Sequence, residues 1–183
     1  MKSLKLAFEN SNEGACYYIT TPQGVDLLVA ISQSIEEAGW QLKQSLIWVK
    51  NNIVLGRSDY NYQHEPIVYG WKGTHKFYGR GGESSVWRID KPQSSRLHPT
   101  MKPVELGERA IINSTLEGQI VLDPFAGAGF SLIASHKLKR VWRGMELSPA
   151  YVDVCVKRWE NYTGMKAERI PAKEGRTSPI INH

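Results

Sequence analysis

The stretch from Val121 to Ser131 reads VLDPFAGAGFS and decides the fold. Together with Ile120 it begins as a short apolar run, which predicts a buried strand. Gly127 and Gly129 then allow the backbone to turn sharply and to approach a ligand closely. Residues 130–138 predict the helix that follows. A strand, a glycine-rich turn and a helix N-terminus form the nucleotide-binding cradle of an open α/β sheet.

An acid at the end of this strand decides which nucleotide the turn accepts. The Asp123 carboxylate would repel a pyrophosphate, and Leu132 stands where the dinucleotide fingerprint has its third glycine. S-adenosylmethionine carries no phosphate, and its α-ammonium and sulfonium are attracted to a carboxylate. Glu146 ends the next apolar run, where an acid accepts both ribose hydroxyls. We therefore expect S-adenosylmethionine as the cofactor; the alternative is that Gly-Ala-Gly is an ordinary tight turn.

Three motifs together resemble a known family. They are DPFAGAG at 123–129, MELSP at 145–149 followed by Tyr151, and HPTMKP at 98–103. Their order is similar to that of the amino-group DNA methyltransferases, which methylate adenine N6 or cytosine N4, in the subgroup whose cofactor half comes last. Met101 replaces the usual Gln, and Phe130 replaces the usual Thr or Ser; neither change alters a charge. The resemblance covers about residues 15–164.

The resemblance implies a Rossmann-like α/β sheet that binds S-adenosylmethionine and acts on double-stranded DNA, as in restriction-modification systems. Its cofactor-binding residues would surround the glycine loop, with Phe125 near the sulfonium and two residues of the earlier motif closing the methionine side. The set is Thr100, Lys102, Asp123, Phe125, Gly127, Gly129 and Glu146.

Composition is that of an ordinary globular domain. The 183 residues are 41% hydrophobic and 22% charged, and they suffice for one domain with a core. No apolar run has the roughly 18 residues of a membrane span, and the N-terminus does not resemble a signal peptide. Cys16 and Cys155 lie in apolar contexts, so we interpret them as reduced core residues of a cytoplasmic protein, not as metal ligands. No metal site is expected.

Residues 51–97 combine basic and aromatic side chains without a helical period. The net charge of +5 fits a nucleic-acid partner, although a solvated basic surface is the alternative. Basic side chains pair with phosphates while aromatic rings stack on bases. The resemblance identifies this segment as an inserted target-recognition region; the alternative is a small aromatic core, with residues 65–70 as a structural strand. The expected DNA contacts are Arg57, Lys72, Lys76, Arg80 and Arg88.

The remaining chain predicts alternating strands and helices. We expect one methyltransferase-like domain at 1–164 and a polar tail at 165–183, because the last helix carries a capping glycine, Gly164. The predicted strands are 15–20 and 44–50, besides 120–122 and 141–145; the predicted helices are 25–38, 104–115, 130–138 and 149–163.

The family's catalytic motif is missing from these residues. By the resemblance it reads Asp/Asn/Ser-Pro-Pro-Tyr/Phe, holds the exocyclic amino group of the flipped base and precedes the recognition region. This sequence contains no Pro-Pro dipeptide. We therefore expect no catalytic residue here, and expect the portion with that motif, including a strand between the glycine-loop strand and strand 15–20, to be absent. A second chain could supply it; the alternatives are a degenerate truncated enzyme and a non-catalytic DNA-binding or regulatory module.

Overall fold

The computed structural model describes residues 2–57, 59–91 and 101–171. Their contacts divide them into two compact units. The first unit holds residues 2–91 together with Ile112–Ser114, and the second unit holds residues 101–111 and 115–171.

The first unit is built on a four-stranded sheet in the order β1-β3-β2-β4. β3 runs antiparallel to β1 and to β2, and β4 runs parallel to β2. The elements are α1 (Lys2–Glu9), β1 (Cys16–Thr20), α2 (Val25–Glu37), β2 (Gln41–Val54), β3 (Tyr62–Trp71) and β4 (Val86–Arg88).

The two helices of this unit cover one face of the sheet with apolar side chains. Ile35 of α2 is fully buried there beside Trp40 and Val68. Phe8 of α1 meets the Trp40 ring edge-on at 5.3 Å. The opposite face is aromatic, since Tyr18 of β1 stacks on the residue paired with it on β3, Tyr69, at 4.7 Å.

Pro66 lies in a strand that is hydrogen-bonded on both sides, where proline is unusual because it cannot donate to the ladder. Its carbonyl accepts a 2.9 Å hydrogen bond from the amide of Thr21, the residue directly after β1. The N–H that Pro66 lacks would point to the same side, beyond the end of β1. The missing donor of Pro66 therefore breaks no hydrogen bond between β3 and the residues of β1.

A nearly buried ion pair joins β2 to β3. The Lys50 side chain is 2% exposed, and its ammonium lies 2.8 Å from a carboxylate oxygen of Glu65. Breaking such a pair by removing one partner leaves an uncompensated charge, which costs about 3–5 kcal/mol in fully buried cases. The Glu65 side chain is 23% exposed, so the cost here is below that of a fully buried pair, and the contact is one of those that hold β2 on β3.

The second unit contains a two-stranded parallel sheet and three helices. Its core consists of Leu132, Ile133, Trp142, Cys155 and Trp159 with Ala126. The elements are α3 (Val104–Ser114, whose last three residues belong to the first unit), β5 (Ile120–Asp123), α4 (Phe130–Lys137), β6 (Val141–Gly144) and α5 (Pro149–Thr163).

The α/β class predicted from the sequence is confirmed, and the predicted elements form. Four details differ. α1 and the short strand β4 were not predicted, β2 is longer at both ends than 44–50, and residues 62–71 form a full central strand of which only 65–70 were expected. Much of the described part of the segment 51–97 belongs to the sheet, as residues of β2, β3 and β4.

The polar segment after α5 begins with ordered contacts. The Ala167 amide donates to Glu160 at 3.0 Å and the Lys166 ammonium lies 3.0 Å from the same carboxylate. Hydrogen bonds from these two groups lower the pKa of Glu160. None of the helices in the described ranges combines the length and the apolar character that crossing a membrane requires.

Candidate functional site

Parallel pairing of β5 with β6 brings two acids to one edge of the second unit. Asp123 ends β5 opposite Gly144, the last residue of β6. The ladder continues past the strands, because the Met145 amide donates to the Asp123 carbonyl and the Ala126 amide to the Met145 carbonyl, both at 2.9 Å. Glu146 follows directly, so the acid pair, Asp123 and Glu146, lies at the carboxyl end of both strands.

Glu146 is tied to the glycine loop by its carboxylate. One oxygen accepts from the Gly127 amide at 2.8 Å and the other from the Ser148 amide at 2.9 Å. Ser148 is the N-cap of α5. An ionised carboxylate has about four acceptor sites, so both bonds are compatible with further donors such as ribose hydroxyls.

Asp123 is held in a similar way on its own loop. Its Oδ1 accepts from the Phe125 amide at 3.0 Å. Its Oδ2 accepts from the hydroxyl of Ser131, and that hydroxyl accepts from the indole N–H of Trp142 at 3.0 Å. Each oxygen of the carboxylate therefore has its own donor, which fixes the rotation of the group.

The glycines adopt the backbone conformations that the sequence predicts for them. Gly127 and Gly129 have φ values of 52° and 70°, in a backbone region that residues other than glycine rarely adopt. At Gly129, which is the N-cap of α4, a Cβ would also collide with the sulfur of Cys155. Arg158 lies on α5, the helix that also carries Cys155, and its guanidinium donates to the Ala128 carbonyl of the loop at 2.9 Å.

Cys155 beside this loop is a packing residue. Burial, with Asp123 and Glu146 nearby, raises the pKa of its thiol to about 11. The thiol is therefore protonated at neutral pH and is a poor nucleophile. This agrees with the interpretation of Cys155 as a reduced core residue, whereas Cys16 is only partly buried.

The other expected cofactor residues are less constrained. Phe125 is 67% exposed, which leaves its ring available at the loop. Lys102 is partly buried, just before α3, and Thr100 lies outside the described residues.

The basic residues expected to contact DNA fall into two groups. The Lys72 ammonium donates to the carbonyls of Phe8 and Ser11, both at 2.9 Å, and lies 4.3 Å from the centre of the Phe8 ring. These contacts attach the segment after β3 to α1, so Lys72 is a structural residue of the first unit. The other four are exposed: Arg57, Lys76, Arg80 and Arg88.

Exposed aromatic rings accompany these cations along the chain. Tyr60 is 87% exposed and Phe77 39% exposed. Lys76 lies 5.2 Å from the ring centre of Tyr78, so cation and ring occupy neighbouring positions. The first unit thus presents both the charge and the ring surface that binding to nucleic acid uses.

Three residues of the site were not found from the sequence. Ser131, Trp142 and Arg158 reach the loop only through folded contacts from α4, β6 and α5. The only local signal was that Ser131 is polar within the apolar start of a helix.

Comparison with known proteins gives the family. The family model for N6/N4 methyltransferases, described as DNA methylase, matches residues 2–157. The chain belongs to this DNA methylase family. The motifs at 98–103, 123–129 and 145–149 that suggested the resemblance fall within the matched range.

Two curated relatives are 28–29% identical to it over the aligned residues. The type II methyltransferase M.Cfr9I of Citrobacter freundii is 29% identical over 158 residues, which is 75% of this chain and 53% of that protein. The type II methyltransferase M2.DpnII of Streptococcus pneumoniae is 28% identical over 153 residues, 73% of this chain and 56% of that protein. The chain thus spans about half the length of the curated relatives it matches.

Solved structures confirm the Rossmann-like methyltransferase fold. The M1.HpyAVI–SAM complex superposes with a TM-score of 0.73 and 26% identity, over 86% of this chain and 80% of that one. The cytosine-N4-specific PvuII DNA methyltransferase has a TM-score of 0.72 at 15% identity, which bears on the fold alone.

Gly129→Ala should destabilise the second unit, because it forces a Cβ into the left-handed region and against Cys155. We expect a loss of about 2–4 kcal/mol from backbone strain and overpacking together. The matched control is Gly118→Ala, since Gly118 has φ 80° and nothing within 4 Å of the added Cβ. Urea denaturation followed by tryptophan fluorescence measures both, and equal losses would contradict the tight contact at Gly129.

Proposed function

We propose that this chain is the cofactor-binding and DNA-recognition part of an S-adenosylmethionine-dependent DNA methyltransferase that modifies adenine N6 or cytosine N4. The observation that carries the proposal is the acid pair. Asp123 and Glu146 lie at the carboxyl ends of two parallel strands, on either side of a glycine loop. In open α/β sheets ligands bind outside the carboxyl ends of the strands.

The chemistry of this edge suits S-adenosylmethionine better than a dinucleotide. Two carboxylates would repel a pyrophosphate but attract the α-ammonium and the sulfonium of S-adenosylmethionine. Glu146 is the residue expected to hold the ribose hydroxyls and Asp123 the amino-acid end, with Phe125 and Lys102 alongside. A bound S-adenosylmethionine in the structure of the relative M1.HpyAVI supports this choice.

For DNA we propose an interface on the first unit that includes Arg57, Lys76, Arg80 and Arg88. These side chains are exposed, and three of them accompany the exposed rings of Tyr60 and Phe77 in the sequence. Lys72 is left out because its ammonium is hydrogen-bonded within the unit.

Transfer of the methyl group needs a base-orienting motif that these residues lack. The sequence has no Pro-Pro dipeptide. Among the described strands, none pairs with the outer edge of β1 or with the outer edge of β5. We propose that a segment carrying Asp/Asn/Ser-Pro-Pro-Tyr/Phe, in a second chain or in a further part of the protein, completes the enzyme.

A non-catalytic DNA-binding or regulatory module is the second candidate. The absence of the Pro-Pro motif favours it, and the cofactor site and the basic surface would both be retained. The two candidates differ only in whether a completed complex transfers methyl groups.

Binding of S-adenosylhomocysteine should depend on Glu146 through the ribose. The unaltered chain should bind S-adenosylhomocysteine about tenfold or more tightly than its 2′-deoxy analogue, because a charged acceptor loses a hydrogen bond. Glu146→Gln should weaken the binding of S-adenosylhomocysteine and reduce its preference over the 2′-deoxy analogue to about twofold. Isothermal titration calorimetry measures all four affinities.

Asp153→Asn is the matched control for that titration, because Asp153 is an exposed acid on α5 of the same unit. It should behave as the unaltered chain. An undiminished preference for the ribose hydroxyl in Glu146→Gln would contradict the assigned role of Glu146.

DNA binding should fall steeply with salt because it depends on phosphate contacts. Arg80→Ala and Arg88→Ala should each weaken binding of mixed-sequence duplex, and each should reduce the slope of log affinity against log salt by about 0.9 per lost contact. Lys157→Ala, an exposed cation on α5, is the control. Fluorescence anisotropy from low to physiological salt measures the slopes, and a slope unchanged by both substitutions would remove these residues from the interface.

The isolated chain should not methylate DNA, because its sequence lacks the Pro-Pro motif that would orient the amino group for in-line attack. Orientation supplies up to about 7–11 kcal/mol in favourable systems. The assay is transfer of labelled methyl from S-adenosylmethionine to mixed-sequence DNA, with and without the product of the neighbouring upstream reading frame. Turnover only in the mixture supports the two-chain enzyme, whereas turnover by the isolated chain that Asp123→Ala abolishes would contradict the account.

A further inference from the structure

A buried chain of hydrogen bonds reaches the Asp123 carboxylate from inside the second unit. The indole N–H of Trp142 donates to the Ser131 hydroxyl at 3.0 Å, and that hydroxyl donates to Oδ2 of Asp123. Ser131 is 6% exposed and Trp142 7% exposed, so water competes little for either group. The order of donors is fixed, because an indole can only donate and an ionised carboxylate can only accept.

A second buried serine on α4, Ser135, makes no such hydrogen bond to an acid in the described part of the chain. Ser135, one turn after Ser131 in α4, is 0% exposed, and its hydroxyl has no hydrogen-bond partner among the described residues. A buried hydroxyl in α4 is therefore tolerated without being placed on an acid. Of these two buried serines in α4, only Ser131 is hydrogen-bonded to an acid within the described ranges.

Trp142 links this chain to the strand that leads to the other acid. A Cβ at Gly144 would collide with the Trp142 indole, so the backbone of Gly144 lies directly against that ring. Gly144 is the residue paired with Asp123, and it precedes Glu146 by two positions. One indole thus supports the end of β6 and, through Ser131, orients the acid at the end of β5.

We propose that Ser131 is a positioning residue, held by Trp142, that fixes the rotation of the Asp123 carboxylate for the amino-acid end of S-adenosylmethionine. With the Phe125 amide on Oδ1 and Ser131 on Oδ2, both oxygens are anchored from the protein side. Without Ser131 the carboxylate loses one of its two anchors. The inference rests on the proposed cofactor site and assigns a role to residues that do not contact the cofactor.

The test compares two probes that differ in the part Asp123 is expected to bind. S-adenosylhomocysteine carries the amino-acid tail, and 5′-methylthioadenosine has the same nucleoside without it. Calorimetry with the full chain should give, for Ser131→Ala, about tenfold weaker binding of S-adenosylhomocysteine and a change of less than about twofold for methylthioadenosine. Ser131→Cys, which keeps the volume but donates weakly, should shift the two probes in the same selective way.

Trp142→Phe removes the donor behind Ser131 and also shortens the ring that lies against Gly144. The lost donor should weaken S-adenosylhomocysteine about two- to fivefold more than methylthioadenosine, whereas lost packing at Gly144 should weaken both probes alike. Ser135→Ala is the matched control, because it deletes a buried hydroxyl from the same helix, and it should leave both affinities unchanged. An equal loss for both probes in Ser131→Ala and Ser131→Cys would make Ser131 merely structural and would overturn the inference. No loss for either probe would overturn it as well. If the unaltered chain bound neither probe, that result would contradict the proposed cofactor site itself and not only the role of Ser131.

Discussion

The parallel pairing of β5 with β6 is the contact on which the rest of the site depends. Asp123 lies opposite Gly144, and backbone hydrogen bonds of 2.9 Å carry the ladder on to Met145 and Ala126. A shift of register by one residue would turn every side chain to the other face of the strand. Two acids from different strands would then no longer share one edge. The glycine loop, α4 and α5 are all arranged around that edge.

Both acids, which we propose to bind the cofactor, also have a structural task. Glu146 accepts from the amides of Gly127 and Ser148, and Asp123 accepts from the Phe125 amide and the Ser131 hydroxyl. These hydrogen bonds offset the cost of holding two like charges near one loop. They also hold the loop in one conformation, which would lower the ordering cost of binding a ligand there.

The sequence predicted what local chemistry determines. β5, the glycine turn, α4 and the glycine that caps α5 were found to within one or two residues, because apolar period and glycine conformation are properties of a short segment. The length of β3 was underestimated, because its ends are set by pairing with two other strands. Lys72 was taken for a DNA contact, since the carbonyls of Phe8 and Ser11 that hold it are some 60 residues away in the chain. α1 was missed because Phe8 gains its partner, Trp40, only in the fold.

The most direct measurement of the acid pair is a crystal structure of this chain with S-adenosylhomocysteine. The account predicts that the ribose hydroxyls lie within hydrogen-bond distance of Glu146, that the α-ammonium lies on the Asp123 side of the glycine loop, and that the Ser131–Asp123 hydrogen bond remains. A nucleoside bound elsewhere, or a loop in which Glu146 releases the Gly127 amide to reach the ligand, would contradict it.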